Sequence, residues 1–276
     1  MKRITAFLIC LLSFTAVSAQ KSLPPLDRLA SINDSIIGEA HMLYFSEKIN
    51  WITTDYFFEN HTLEQIGGGL TYFKDSVWVC FFCDKEQQNS ISEIRWDIKG
   101  KQIKESRSDS VRPLLPEEKQ LMERRYKILN KAIEEYGDSL KSLPSQYGKL
   151  NFDLIPIGDN ITRIYILQGI TVEGILPWGN DYSIDVDSND NIICFRRHHK
   201  SFIPVELKES EDKDNLVYHT HLEDNPYITA TDICNFLMYG RDLYNLQQFM
   251  VVSPAFNCNF SYIDSMKTII TLDKNK

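Results

Sequence analysis

The sequence predicts an α+β fold, and three observations support this prediction. Helical spacing marks residues 33–50 and a long amphipathic stretch at residues 117–136. Between them, residues 62–112 contain β-rich runs separated by short turns, which predicts an antiparallel meander of strands. After residue 150, short strand-like segments follow closely and are interrupted by a helical stretch at 230–244, which predicts a mixed sheet carrying a helix.

Local signals at the ends of these segments justify each element in turn. Asn33 or Asp34 can cap the N-terminal helix, because their side chains accept hydrogen bonds from free backbone N–H groups. Residues 74–76 form a hairpin-type turn between two β-rich runs of the meander. Pro116 suits the first turn of the long central helix. The polar, proline-containing segment 138–149 follows that helix and is the predicted domain boundary.

The N-terminus has the pattern of a secretory signal peptide. Lys2 and Arg3 precede an apolar run that is too short to cross a bilayer, and small residues follow it. We therefore expect a signal peptide over residues 1–19, an N-terminal α+β region over 20–145 and a C-terminal domain over 146–276. The expected location is periplasmic or extracellular.

Charge and hydropathy exclude two classes of partner. The chain has 30 Lys and Arg against 38 Asp and Glu, a formal net charge of −8, and no basic stripe. Such a surface repels phosphate backbones, so we expect no nucleic-acid partner. After the signal peptide no apolar run is long enough to span a membrane. The oligomeric state is not indicated by the sequence.

The cysteines do not predict a disulfide scaffold or a zinc knuckle. Six cysteines become five once the predicted signal peptide is removed, which is an odd and low count. Cys80 and Cys83 have CxxC spacing, but they lie in a β-branched and aromatic run and a second pair is missing. We interpret them as strand cysteines, with or without one disulfide.

The stretch YHTHLEDNPYITATDIC holds the most informative side chains. His219 and His221 lie two residues apart in a predicted strand, so both imidazoles project to the same face. Asp232 lies in the first turn of the next predicted helix and can face back towards them. Two imidazoles and a carboxylate suit a zinc ion with one position left for water, as in catalytic sites. A second interpretation stays open, in which Thr229 and Asp232 form a capping box and the histidines bind nothing.

The same residues resemble the signature of the JAMM, or MPN-type, zinc metalloproteases. In that family HxH is followed by seven residues, a serine, two residues and an aspartate, and here Thr229 and Asp232 stand in the last two places. The resemblance implies an α/β/α-like JAMM core at the C-terminus, with zinc bound by His219, His221 and Asp232. Thr229 would stabilise the oxyanion. The sequence departs from the pattern at Thr229 and at Leu222, where the family usually has serine and proline.

The family's general base is a glutamate from an upstream strand. Glu173 in TVEGILPWG is the candidate, and Glu206 in FIPVEL is the reserve. The resemblance therefore implies an exported zinc-dependent amide-bond hydrolase acting on a peptide or protein substrate. The alternative is an exported, non-catalytic binding or interaction module on a JAMM-like scaffold with an incomplete site.

Two further patterns receive structural interpretations. Residues 185–191 are similar to a calcium loop, but Asp190 and Arg196 stand where an EF-hand needs glycine and glutamate, so we predict a polar hairpin turn. His198 and His199 are adjacent, so at most one can reach the proposed zinc, and neighbouring arginines would repel a cation. We predict that this pair lies on the surface.

Overall fold

The fold combines helices with antiparallel and mixed sheets, and this arrangement confirms the α+β prediction. The computed structural model describes residues 21–99, 102–144, 147–158, 160–207 and 216–274. The predicted signal peptide, residues 1–19, lies outside the described residues. The helices are α1 (Leu26–Asn60), α2 (Pro116–Tyr136), α3 (Ala230–Asn235) and α4 (Asp242–Tyr244), with a π-helical segment, Phe236–Arg241, between the last two.

The strands form four groups. The N-terminal sheet consists of β1 (Gly68–Lys74), β2 (Val77–Cys83), β3 (Asn89–Lys99), β4 (Gln102–Ser108) and β5 (Arg112–Pro113). The central sheet consists of β6 (Leu150–Pro156), β7 (Thr162–Gln168), β9 (Tyr182–Val186) and β10 (Ile192–Arg197). A two-stranded ribbon consists of β8 (Ile175–Trp178) and β11 (Ile203–Glu206). The C-terminal sheet consists of β12 (Val217–Thr220), β13 (Gln248–Ser253), β14 (Cys258–Ile263) and β15 (Thr268–Asp273).

Strand pairing confirms the predicted meander and the mixed C-terminal sheet. In the N-terminal sheet β1 to β4 pair antiparallel in sequence order, and β5 joins β3. The central sheet has the order β10-β9-β7-β6, and β8 pairs with β11 beside it. In the C-terminal sheet β12 runs parallel to β13, whereas β13, β14 and β15 are antiparallel. A parallel pair needs a crossover connection, and the helices between β12 and β13 supply it.

The first helix is longer than the predicted 33–50. It begins after Pro25, whose fixed φ suits the residue before a helix, and continues to Asn60. The extension includes Thr53 and Phe57, which are both buried. Packing of this face against the N-terminal sheet compensates for the modest helix propensity of threonine and phenylalanine. The central helix, by contrast, begins at the predicted Pro116 and ends beside Gly137.

The hydrophobic core joins elements from both sides of the predicted boundary at 138–149. Ala40 and Leu43 of α1 belong to the same buried cluster as Ile233 of α3 and Phe260 of β14. A second cluster packs α2 against the central sheet, with the buried side chains Ile128, Ala132, Ile164, Ile166, Tyr182, Ile184 and Val186. Both long helices therefore pack against strands that follow this segment in the sequence. No helix among the described residues is long and apolar enough to cross a membrane.

Candidate metal centre

Strand β12 and the residue after it position two of the predicted histidines. His219 lies in β12 opposite Val251 of β13, and the backbone N–H of His221 donates to the carbonyl of Val252 at 2.9 Å. This parallel pairing continues the extended backbone, so the two side chains project to one face. Both are buried, with 5% and 2% of their surface exposed.

Helix α3 positions the carboxylate through the capping box that the sequence suggested. Thr229 is the N-cap residue, and its hydroxyl accepts a hydrogen bond from the Asp232 N–H at 3.1 Å. In return, Oδ2 of Asp232 accepts from the Thr229 N–H at 2.8 Å. The capping box fixes the Asp232 side chain at the start of the helix, where it faces His219 and His221. The two interpretations of this stretch are therefore compatible, because one carboxylate serves both arrangements.

The fourth member of the group is His199, which the sequence placed on the surface. That prediction is wrong, since His199 is 4% exposed and lies after β10 in a turn rather than in a strand. The neighbouring arginine side chains are engaged with other groups and do not point their charge at the cluster. Arg196 pairs with Asp185 at 2.7 Å, and Nε of Arg197 donates to the His199 carbonyl at 2.8 Å. The alternation rule for strands does not apply to this turn.

Gly179 lets the turn reach the cluster. Its φ is +79°, and a Cβ at this position would lie 2.0 Å from the carbonyl oxygen of Ser201. Only glycine combines this backbone conformation with so close an approach. The connection between β8 and β9 therefore packs directly against the turn that carries His199.

The four side chains converge on a single point. The Nε2 atoms of His199, His219 and His221 are separated pairwise by 3.3, 3.0 and 3.0 Å. Asp232 completes the group, because its carboxylate oxygens lie 3.2–3.3 Å from these nitrogens. Ligands held at about 2.0–2.1 Å by a tetrahedral zinc ion are about 3.3–3.4 Å apart. The arrangement thus has the size of a four-ligand metal site, and the structure shows a buried His-His-His-Asp group that can hold a metal ion.

The outer nitrogens of two imidazoles show which way their lone pairs point. Nδ1 of His221 lies 2.6 Å from the Tyr227 carbonyl oxygen, which only accepts hydrogen bonds, so this nitrogen carries a proton. Nδ1 of His199 lies 2.7 Å from Oδ1 of Asp181, which is itself buried. In a neutral imidazole the opposite nitrogen then has a free lone pair, and here it faces the centre. Lone pairs on Nε2 atoms that are 3.0–3.3 Å apart repel one another. A cation at the centre would replace this repulsion with attraction.

A buried carboxylate oxygen of the group lacks a hydrogen-bond partner outside the cluster, which also fits a metal site. Oδ1 of Asp232 lies 3.2 Å from Nε2 of His219 and 3.3 Å from Nε2 of His199, whereas Oδ2 accepts from the Thr229 N–H and from its hydroxyl at 2.7 Å. Nδ1 of His219, the outer nitrogen of this ring, is also without a partner, and a cation at the centre would not satisfy it. An unpaired buried carboxylate oxygen is costly, and coordination of a cation removes that cost. The donor set therefore fits a divalent ion.

Electrostatics divide the roles within the group. Burial lowers the pKa of His219 and favours its neutral, ligating form. Burial has the same effect on His199, but the charges of Asp181 and Asp232 outweigh it and raise the pKa of His199 to about 9. Burial opposes the charge of Asp232 too, and the three imidazoles outweigh it and hold its pKa well below the usual range. Without metal, the raised pKa of His199 favours its protonated form at neutral pH.

The structure does not bring the predicted general base to this group. Glu173 is exposed in the turn before β8, and Glu206 is exposed at the end of β11. Neither belongs to the buried cluster. A catalytic role for Glu173 stays a prediction that the geometry does not support. The Thr229 hydroxyl is engaged with Asp232 and with the Thr231 hydroxyl at 2.9 Å.

Sequence reasoning missed His199 and Asp181. Asp181 is 1% exposed, accepts from the Thr231 hydroxyl and lies within hydrogen-bond distance of Nδ1 of His199. The remaining patterns are structural. Residues 187–191 form a hairpin turn in which Asp190 pairs with Arg124 and Lys127. Within the described residues all five cysteines are free thiols.

Comparison with known proteins finds no matching family model, no matching curated protein and no matching solved structure.

Proposed function

We propose that this protein is an exported zinc-binding module whose ion is held by His199, His219, His221 and Asp232. The observation that carries this proposal is the convergence of three imidazole Nε2 atoms, 3.0–3.3 Å apart, on a carboxylate with an unpaired oxygen. Imidazole and carboxylate ligands suit zinc in a four-coordinate site. Export is proposed from the pattern of residues 1–19 alone.

Four protein ligands favour a structural role for the ion. Closed sites with four protein ligands are typical of structural zinc, whereas catalytic sites keep one position for water. Here His199 takes the position that the two histidines and Asp232 leave open. The ion would cross-link three segments of the chain. These are β12 with the residue after it, α3, and the turn after β10. Binding to the folded state alone stabilises that state.

A zinc-dependent amide hydrolase is the second candidate. It is favoured by His219, His221 and Asp232, which have the spacing of the JAMM signature and meet in space. Zinc would supply Lewis-acid chemistry and an acidified water when bound. The exposed Glu173 and the engaged Thr229 hydroxyl argue against this candidate, because no described carboxylate other than Asp232 joins the cluster.

Metal analysis of the untagged protein tests the first proposal. We expect one zinc per chain, and loss of zinc together with a lower melting temperature in His219→Ala. His41→Ala is the matched control, since His41 lies outside the cluster, with its Nε2 3.3 Å from the Tyr262 hydroxyl. A wild-type protein without stoichiometric metal after zinc loading and desalting would refute the proposal.

A second measurement separates the two candidates. A structural ion predicts that the zinc-loaded protein cleaves no member of a peptide library, although chelation lowers its melting temperature. The hydrolase predicts cleavage that is lost in Asp232→Ala. Cleavage by the wild type alone would replace the structural interpretation with the catalytic one.

A further inference from the structure

A cavity of about 370 Å³ lies away from the metal centre, between α1 and the π-helical segment. Glu47 and Trp51 contribute from α1, Tyr239 from the π-helical segment, and Asn151 from β6. Its volume falls in the range of small-molecule sites. π-Helical segments are rare and are frequent at functional sites. None of the four proposed metal ligands lines this cavity.

Glu47 lines this cavity, and its carboxyl forms no ion pair with a Lys or Arg of the described residues. Glu47 is 7% exposed, its Oε2 accepts from the Asn151 amide at 3.0 Å, and its Oε1 accepts no hydrogen bond. Asp153, also buried, is hydrogen-bonded to the Glu47 carboxyl from β6 and accepts a hydrogen bond from the Ser46 hydroxyl. Arg125, whose charge acts on Glu47, donates instead to the Phe152 carbonyl at 2.6 Å.

The cavity wall adds an aromatic surface and a second carboxylate. The rings of Trp51 and Tyr239 lie 6.3 Å apart at 30°, and 36% of Trp51 is exposed. Asp55 brings a second carboxylate to the lining, against one ammonium from Lys149. A ligand with N–H donors and a positive charge complements the two carboxylates, which accept charge-assisted hydrogen bonds. The Lys48 ammonium already lies 5.5 Å from the centroid of the Trp51 ring, so this ring offers the carbon chain of the ligand an apolar contact.

We propose that this cavity binds a small organic ammonium ion, which donates N–H groups to Glu47 and lays its carbon chain against Trp51 and Tyr239. The site is independent of the proposed zinc ion. It would give the binding module a ligand of defined chemistry.

Binding of such a cation releases a proton. Burial raises the pKa of Glu47 well above its usual value, and the charge of Asp153 and a hydrogen bond to it raise that pKa further, which favours the protonated carboxyl in the ligand-free site. The nearby thiol of Cys234 and hydroxyl of Tyr239 also have raised pKa values and stay neutral. When an ammonium ion enters, Glu47 loses its proton to the buffer and forms an ion pair with the ligand.

Calorimetric titration with n-pentylamine tests the proposal, with n-pentanol as the uncharged match. We expect saturable binding of the amine alone, and a heat that depends on the ionisation enthalpy of the buffer, as proton release requires. Glu47→Gln should weaken binding by about tenfold or more, because a hydrogen bond to a charged group is lost. Glu59→Gln is the control, as this exposed glutamate of the same helix makes the same charge change outside the cavity.

Trp51→Ala keeps the test decisive if Glu47→Gln does not fold, because Trp51 lies at the exposed edge of the cavity. This variant should also weaken amine binding while its circular dichroism spectrum stays that of the wild type. Equal binding of the alcohol, no saturable amine binding, or amine binding that neither variant weakens would each overturn the proposal.

Discussion

At the level of single residues, Asp232 performs two tasks that a reading of the sequence treats as alternatives. Its Oδ2 closes the capping box of α3, and its Oδ1 faces the histidines without a hydrogen-bond partner. A carboxylate has two oxygens and several lone pairs, so the cap does not compete with a metal. The helix terminus thereby holds the carboxylate in the orientation that the cluster needs.

Asp181 should control metal affinity through His199. In Asp181→Asn the acceptor opposite Nδ1 loses its negative charge, so His199 becomes a weaker and less firmly oriented ligand. We expect zinc affinity to fall by about 10- to 100-fold while the fold persists. A competition titration with a chromophoric chelator measures this change.

Asp187→Asn is the matched control for that substitution. Asp187 lies in the turn after β9, where its carboxylate accepts from backbone and side-chain groups of Asn191. Its replacement should leave zinc affinity unchanged. Equal zinc affinity in Asp181→Asn and in the wild type would contradict the role given to Asp181.

The raised pKa of His199 predicts a pH-dependent zinc affinity. Burial lowers this pKa, but Asp181 and Asp232 outweigh it and bring it to about 9, so below that pH a proton must leave before zinc binds. His219 has a lowered pKa and adds no such proton near neutral pH. Apparent affinity should therefore rise by about tenfold per pH unit from neutrality towards pH 9 and then level off. Chelator competition at several pH values checks the slope. A flat profile would show that zinc binding displaces no proton from His199.

At the level of elements, the metal centre depends on how two connections approach each other. Helix α3 and strand β12 are short, and the turn after β10 that carries His199 packs closely against the β8–β9 connection at Gly179. The ligands thus come from segments that are individually weak and are held by their neighbours. Local substitutions in these connections should affect metal binding without touching a ligand.

Gly179→Ala should separate His199 from the other three ligands. The added Cβ meets the Ser201 carbonyl oxygen at 2.0 Å, and alanine is strained at a φ of +79°. We expect a loss of about 1–3 kcal/mol of unfolding free energy and weaker zinc binding, measured by thermal unfolding and metal titration.

Gly158→Ala distinguishes the effect of backbone strain from the effect of displacing the turn that carries His199. Gly158 has a φ of +93°, but a Cβ there meets nothing within 4 Å. This variant should lose stability through backbone strain and keep its zinc affinity. If Gly179→Ala also kept full zinc affinity, the close approach would not be what positions His199.

The helix after the cluster shows how far local patterns extend. Residues 230–244 are helical as predicted, yet the middle part, Phe236–Arg241, is π-helical. Nothing in the local spacing indicates this change. The segment packs between the C-terminal sheet and α1, where Phe236, Leu237 and Met238 are buried, so packing on both sides selects the wider turn.

At the level of the whole molecule, α1 should be indispensable to the C-terminal region. Ala40, Leu43 and Ile49 complete the core formed by α3 and β14, although they lie far away in the sequence. A fragment comprising residues 146–276 would expose this apolar surface to water, which costs about 25 cal/mol per Å². We therefore expect it to lack a cooperative thermal transition in circular dichroism, whereas the full chain unfolds cooperatively.

Addition of a peptide covering residues 26–60 should partly restore that transition. The peptide would supply the buried face of α1, and a scrambled peptide of equal composition provides the control. Cooperative unfolding of the fragment alone would show that the segment 138–149 separates two independent folding units.

The sequence by itself determined the α+β class, the meander, the central helix and the positions of His219, His221 and Asp232. These features depend on periodicity, on caps and on residues close together in the chain, whose geometry neighbouring backbone dictates. Only the tertiary structure decided that His199 joins His219, His221 and Asp232 in a group that can hold a metal ion, that Asp181 contacts His199, and that Glu173 is exposed. Those outcomes depend on which turns approach one another across the fold, and that is decided by packing between distant segments.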